Sequence, residues 1–217
     1  MAPGGRTEAI RRFQQDARGC VRCRAEGLLH RHPDGRSSYP LFHQGSSCRA
    51  GVLAVFEAPN LADTFDPDKG RLTFDGETDP SGRFTWSLFA SAGLGEDDFL
   101  CTNTVLCLPA RKNGKHPITA GQRRQCQPWL ERLIDDVSPG LVITFGGEAL
   151  AALGRIERHG LKLKDGVGRL HDWHGRRLLP LYHPGALGRA TRGEALQRAD
   201  FKAIKGYLRE VGFPPRT

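Results

Sequence analysis

The apolar positions of this chain fall into short runs separated by longer periodic stretches. Four runs have strand character: Val52-Leu53-Ala54-Val55-Phe56, Leu100 to Leu106, Leu141-Val142-Ile143-Thr144-Phe145, and Leu178-Leu179-Pro180-Leu181-Tyr182. The first and third read as buried parallel strands that end on turn residues. Helical periods lie between them. Ile10, Phe13 and Ala17, at spacings of three and four, predict a helix over about Glu8 to Ala17 with Thr7 as its cap. A second helix is expected over Phe84 to Ala92. A third starts at Thr119, where Thr119-Ala120-Gly121-Gln122 forms a capping box, and carries Leu130, Leu133 and Ile134. A fourth covers Glu148 to Leu153, and the last uses Ala195, Ala199, Ile204, Tyr207 and Leu208. The polar stretch up to about Ala50, with Pro33, Gly35, Pro40 and Gly45, reads as irregular structure wrapped on the core. Strands alternating with helices predict a single α/β domain over residues 1–217 with a mainly parallel sheet. Ligands in such sheets bind beyond the carboxyl ends of the strands. Chemistry is therefore expected just after Phe56, Leu106, Phe145 and Tyr182.

Composition narrows the class. The 217 residues are 38% hydrophobic and 26% charged, a folding composition, neither disordered nor collagenous. No apolar run reaches the roughly 18 residues of a membrane span, and Met1 to Arg12 is too polar for a signal peptide. A cytoplasmic location is the expectation. The net charge of +8 favours a polyanionic partner, of which nucleic acid is the commonest. With 27 glycines and 14 prolines, long shaped loops should surround the scaffold. Six cysteines are too few for a disulfide-stapled fold in a reducing compartment.

The strand ends carry candidate groups. Glu57-Ala58-Pro59-Asn60 follows the first run, and a carboxylate there can orient water or stabilise a developing cation; it can equally be a capping acid in a surface loop. Asn103, in the second run, offers a donor and an acceptor able to read an amide-like edge, or serves a turn. His183-Pro184-Gly185 follows the fourth run, where an imidazole can donate to an oxyanion or be a structural histidine. Cys20-x2-Cys23 and Cys107-x18-Cys126 supply four thiols able to hold zinc or an iron–sulfur cluster, or to pack in the core. Cys48 and Cys101 lack a short-spaced partner and read as packing residues. His171 and His174 have metal-like spacing but form one pair only, and read as non-ligands.

Taken in order, these segments resemble the uracil-DNA glycosylase superfamily, most closely its iron–sulfur, family 4-like branch. The matching pieces are Cys20-x2-Cys23, Glu57-Ala58-Pro59, Phe74 in Thr-Phe-Asp-Gly, Asn103-Thr-Val-Leu-Cys107-Leu-Pro, Cys126, the run from Leu141 to Phe145 leading into Gly146, and His183-Pro184. The resemblance implies a three-layer α/β/α sandwich around a four-stranded parallel sheet. It also implies a 4Fe-4S cluster on Cys20, Cys23, Cys107 and Cys126, with a mainly structural job. The implied reaction is monofunctional hydrolysis of the N-glycosidic bond of deoxyuridine in DNA, opening base-excision repair by a monomeric enzyme that flips the base out of the stack. Phe74 would stack on the extruded uracil and Asn103 would read its edge. Asn60 would lie at the same pocket, and Asp63 would crowd a thymine methyl. His183 would stabilise the departing uracil anion, and Glu57 the sugar cation. Leu187 would wedge into the emptied stack, with Arg189 on nearby phosphate, while Arg111, Lys112 and Lys115 form a phosphate-binding loop.

The chain departs from the family pattern at several points. Phe56 and Asn60 flank Glu-Ala-Pro where the family carries glycines, a change expected to narrow the pocket. The segment around Phe74 is long and acidic, and Gly185 stands where Ser or Ala is more usual. No histidine lies between Glu57 and Phe84, so covalent capture of DNA by such a residue is not expected. Two alternatives stay open: a protein that holds uracil or abasic DNA with weak turnover, and a glycosylase with broader deaminated-base specificity.

Overall fold

A computed structural model describes residues 3–42, 47–60 and 79–214. The sheet consists of β1 (Val52–Phe56), β2 (Phe99–Asn103), β3 (Leu141–Phe145), β4 (His171–Trp173) and β5 (Arg176–Leu181), in the order β2-β1-β3-β5-β4. Four strands run parallel, as the sequence predicts, and β4 adds an antiparallel edge on β5. The four-stranded sheet thus becomes five-stranded. A three-residue strand, His171-Asp172-Trp173, is too short to leave a period in the sequence. β4 pairs only with Arg176, Arg177 and Leu178, so Pro180, which has no N–H, lies beyond its reach.

The helices are α1 (Pro3–Arg18), α2 (Arg22–Ala25), α3 (Pro80–Ser91), α4 (Ala120–Val137), α5 (Gly147–Ile156), α6 (Leu163–Gly166), α7 (Ala186–Thr191), α8 (Glu194–Phe201) and α9 (Ile204–Glu210). They cover both faces of the sheet, because alternate strand residues point to opposite sides. Leu53 and Val55 join Ile10, Phe13, Leu130, Leu133, Ile134 and Leu150, from α1, α4 and α5. Val52, Ala54 and Phe56 join Phe84, Leu88, Phe89, Phe201, Ile204 and Tyr207, from α3, α8 and α9. This is the expected α/β/α sandwich. The one C-terminal helix read from the sequence is two, broken at Lys202 and Ala203, which lets Phe201 and Ile204 both enter the core. No helix among the described residues is long and apolar enough to cross a membrane.

The capping box at Thr119 is present: its hydroxyl accepts the Gln122 N–H at 3.1 Å, and the Gln122 side chain accepts the Thr119 N–H at 3.1 Å. At the other end of α4, Arg6 and Arg176 donate to the last-turn carbonyls of Val137 (3.3 Å) and Ile134 (3.4 Å). Together with Arg49 they line a groove of about 600 Å³ at the amino ends of the strands, opposite the candidate site. Capping those carbonyls accounts for two of its three arginines.

From β1 the chain moves to β2 on one side, then returns to β3 on the other. The strand order therefore reverses between β1 and β3, and the crevice beyond their carboxyl ends is where a ligand site is expected.

Candidate active site

Phe56, the last residue of β1, is the hub of this crevice. It pairs in register with Asn103 at the end of β2. Its carbonyl accepts the Thr104 N–H at 2.8 Å. Its ring stacks on Phe145 of β3 at 4.5 Å and meets the His183 ring edge-on at 6.0 Å. Residues far apart in sequence thus come to one end of the sheet: Glu57 follows Phe56 in the chain, Asn103 is its register partner on β2, and the His183 ring lies against its ring. The bulk of Phe56 goes into the core, since only 6% of the residue is exposed. It shapes the crevice through His183 instead of projecting into open space.

Glu57 is exposed at the mouth, and its backbone carbonyl accepts the Thr104 hydroxyl at 2.6 Å. Partial desolvation of the carboxyl raises its pKa above the ordinary glutamate value; Glu148 adds to the rise and Arg123 opposes it. A carboxylate held this way can support positive charge or orient water.

Asn103 is 4% exposed. Among the described residues its Nδ2 has no hydrogen-bond partner. A buried donor left unmade costs about 1–3 kcal/mol, and its retention calls for an explanation. Recognition of a polar ligand edge supplies one.

His183 reaches the crevice two residues after β5. Its Nδ1 accepts the Gly185 N–H at 2.9 Å. An accepting Nδ1 carries no proton, so in the neutral ring the proton is on Nε2. Burial lowers the pKa of this imidazole, with Asp79 pulling weakly the other way. The arrangement favours a neutral ring that donates from Nε2. Close packing holds it in place: a Cβ at Gly188 would lie 1.8 Å from the His183 carbonyl oxygen, and one at Gly185 would lie 2.8 Å from Nδ1. The glycine that replaces Ser or Ala after His183-Pro184 therefore fits a turn folded tightly onto the ring.

A model of the uracil DNA glycosylase superfamily matches residues 44–209. The chain belongs to this superfamily. Three relatives bear the name type-4 uracil-DNA glycosylase. That of Sulfurisphaera tokodaii is 23% identical over 219 aligned positions, covering 96% of this chain and 87% of the relative. That of Archaeoglobus fulgidus is 25% identical over 161 positions, with 72% and 76% covered. That of Saccharolobus solfataricus is 28% identical over 123 positions, where the match spans 54% of this chain and only 55% of the relative's length.

The superfamily's other expected positions fall in different places. Phe74 and Asp63 lie outside the described residues. Asn60 is exposed, four residues after β1. Leu187, 85% exposed, stands in the first turn of α7. Arg189 faces inward: its guanidinium donates to the Pro184 carbonyl at 2.7 Å and the Pro80 carbonyl at 3.4 Å, and it pairs with Glu194 at 3.5 Å. These bonds tie α7 to the His183-Pro184 turn and to the start of α3. Arg111, Lys112 and Lys115 are exposed on a tight turn in which Lys112 and Lys115 bond each other's backbones, with Asn113 and Gly114 at positive φ.

Cys23, Cys107 and Cys126 are buried and share one apolar cluster with Leu29, Val105 and Ile118; Ala58, next to Glu57, packs against it. Cys20 is half-buried. The Cys23 thiol donates to the Cys126 sulfur, which raises the pKa of the first and lowers that of the second; the charges of Cys107 and Cys20 also bear on Cys23. Desolvation raises Cys107. Among the described residues, no three Cys, His, Asp or Glu side chains are gathered to grip a metal ion. Cys48 and Cys101 are buried within the two faces of the core, as packing residues should be. His171 bonds the Gly166 carbonyl and His174 bonds Glu157, which gives both structural partners.

Sequence reasoning missed Thr104, Asp79, Arg123 and Glu148. Asp79-Pro80 carried a helix-start signature, an acid at the cap followed by Pro at the first helical position. Glu148 lies three residues past β3, in a segment already marked for chemistry. Arg123 left no signal, because a basic residue on an amphipathic helix is ordinary.

Proposed function

We propose that the protein is a monofunctional uracil-DNA glycosylase that removes uracil from DNA and opens base-excision repair. The observation that supports this reading is that Glu57, Asn103 and His183 all lie at the carboxyl end of the sheet, by the strand-order reversal. Breaking the bond between uracil N1 and the sugar C1′ leaves negative charge on the base and positive charge on the sugar. The Nε2–H of neutral His183 would donate to the uracil anion, and a preorganised donor of this kind typically contributes ~10²–10³ in rate. The buried Asn103 carboxamide would pair with the uracil edge and refuse cytosine, whose donor and acceptor are exchanged. Glu57 would stabilise the sugar cation and direct water to C1′. Leu187, projecting from α7, is suited to fill the gap left by the flipped nucleotide. Arg111, Lys112 and Lys115 are suited to phosphate.

Cys20, Cys23, Cys107 and Cys126 would hold a 4Fe-4S cluster. The donor set supports this: four thiols from three chain segments, three of them buried in an apolar shell, with Arg22 and Arg24 facing the sulfurs of Cys126 and Cys107. Four thiolates are the usual ligand set of a 4Fe-4S core. When bound, the cluster would supply structural cross-linking. The protein's own residues do the rest: Ala58, next to Glu57, and Val105, two residues after Asn103, pack with the cysteine cluster.

The test is incubation with an oligonucleotide containing one uracil, followed by alkali to cut abasic sites. Site-specific scission with free uracil as co-product is expected. Intact strands from protein that binds the oligonucleotide would reject the reading, and rapid repeated turnover would exclude a pure binder.

A further inference from the structure

Glu57 has two charged neighbours that the reaction above does not use. Arg123, on α4, makes a two-pronged bond to Glu148, in the first turn of α5: Nε to Oε1 at 2.8 Å and Nη2 to Oε2 at 2.7 Å. Arg155 adds a third contact to the same carboxylate at 3.2 Å, and its Nε is held by Gln127 at 3.0 Å. Glu148 is thereby saturated and largely buried, its side chain 16% exposed. The topology brings this pair to the same end of the sheet as Glu57. β1 and β3 are adjacent parallel strands whose last residues, Phe56 and Phe145, stack; Glu57 is one residue beyond the first and Glu148 three beyond the second.

We infer that Arg123 and Glu148 form a charge-balancing pair for Glu57: Glu148 is the competing counter-ion that holds the Arg123 guanidinium off the Glu57 carboxylate, leaving that carboxylate accessible to the reaction. Both residues are positioning residues, and the inference rests on the reading of Glu57 as the acid of the site. An ordinary helix-start acid would gain from the dipole of α5 without any partner on α4. The fork geometry of Arg123 makes a full ion pair with whichever carboxylate it engages. If it engaged Glu57, that oxygen pair would be neutralised and could support neither a sugar cation nor a water. The charges acting on Glu57 agree with this layout, since Glu148 raises its pKa and Arg123 lowers it. Among the described residues, Arg155 bears on Glu148 and is absent from the charges acting on Glu57, and the charge acting on His183 is Asp79.

The two partners should therefore move Glu57 in opposite directions. Glu148→Gln removes a negative neighbour and frees Arg123, so the Glu57 pKa falls; Arg123→Gln removes the positive neighbour, so it rises. A shift of about 0.5–1 pH unit each way is expected for a solvent-touching site. Arg123→Lys should return part of the rise. The readout is the carboxyl carbon-13 resonance of Glu57 titrated in the intact, substrate-free protein, assigned with Glu57→Gln. Single-turnover uracil excision is measured in parallel. Opposite shifts, with the Glu148→Gln rate falling about tenfold at neutral pH, support the inference. Shifts of the same sign, or none in either variant, overturn it. Loss of the Glu57 role itself would show differently: Glu57→Gln would excise uracil at the parent rate while the two titrations still moved apart.

Discussion

Replacing Asn103 by Leu should move stability and activity in opposite directions. The carboxamide is 4% exposed and its Nδ2 lacks a partner among the described residues; a free protein that leaves it so carries the cost of an unmade hydrogen bond. That cost is about 1–3 kcal/mol. Leucine has the same branched outline, with bulkier methyl ends and no polar atom. It should recover roughly 1 kcal/mol after imperfect packing is allowed for. In a domain of this size, 1 kcal/mol corresponds to about 2–4 °C in Tm. The same substitution removes the group proposed to read uracil, and single-turnover excision should fall about 10²–10³-fold. Thermal unfolding of parent and variant, alongside excision from a uracil oligonucleotide, measures both numbers. A variant whose Tm drops, or one that excises uracil within about threefold of the parent, refutes the reasoning: the first means the amide has a structural partner, the second that it reads no base. A site strained in the free state and satisfied on binding has this signature, and a merely structural asparagine does not.

Gly188→Ala places a methyl 1.8 Å from the His183 carbonyl. The backbone must move, so excision should fall at least tenfold, with a disturbed His183 imidazole signal in NMR; an unchanged signal and rate would contradict the assigned packing. The lowered pKa of His183 has a definite sign for stability. Below about pH 6.5 the unfolded chain takes up a proton that the folded one refuses, so stability falls as pH drops through that window. Denaturant unfolding between pH 7.5 and 5.5 should show a smaller fall for His183→Gln than for the parent. Cys126→Ser should abolish the broad absorbance near about 400 nm expected of an iron–sulfur protein and lower Tm. Equal zinc content with no such absorbance in the parent would overturn the cluster assignment.

The sheet was legible because strands covered on both faces are apolar along their length, and the helices because each buries one stripe. β4 was not, since its three residues hold one buried side chain, Trp173, and its register is imposed by β5. The same divide runs through the site. Glu57, Asn103 and His183 could be picked out one strand end at a time, since parallel topology sends every strand end to one crevice. The charge balance around Glu57 could not be. Arg123 lies 25 residues from Glu148 and on a different helix, and neither position differs by composition from a solvated surface charge. Only the packing of α4 against α5 turns two ordinary residues into a pair, and only the adjacency of β1 and β3 brings that pair to Glu57. Sequence patterns therefore report which groups reach the crevice, while their protonation states depend on neighbours chosen by tertiary contact. It follows that a relative could keep Glu57, Asn103 and His183 and still lose activity through a change at Arg123 or Glu148. Grafting only the three strand-end residues onto a related fold should give a protein that binds uracil-containing DNA and turns it over poorly; rapid turnover by such a graft would show that the balance around Glu57 is dispensable.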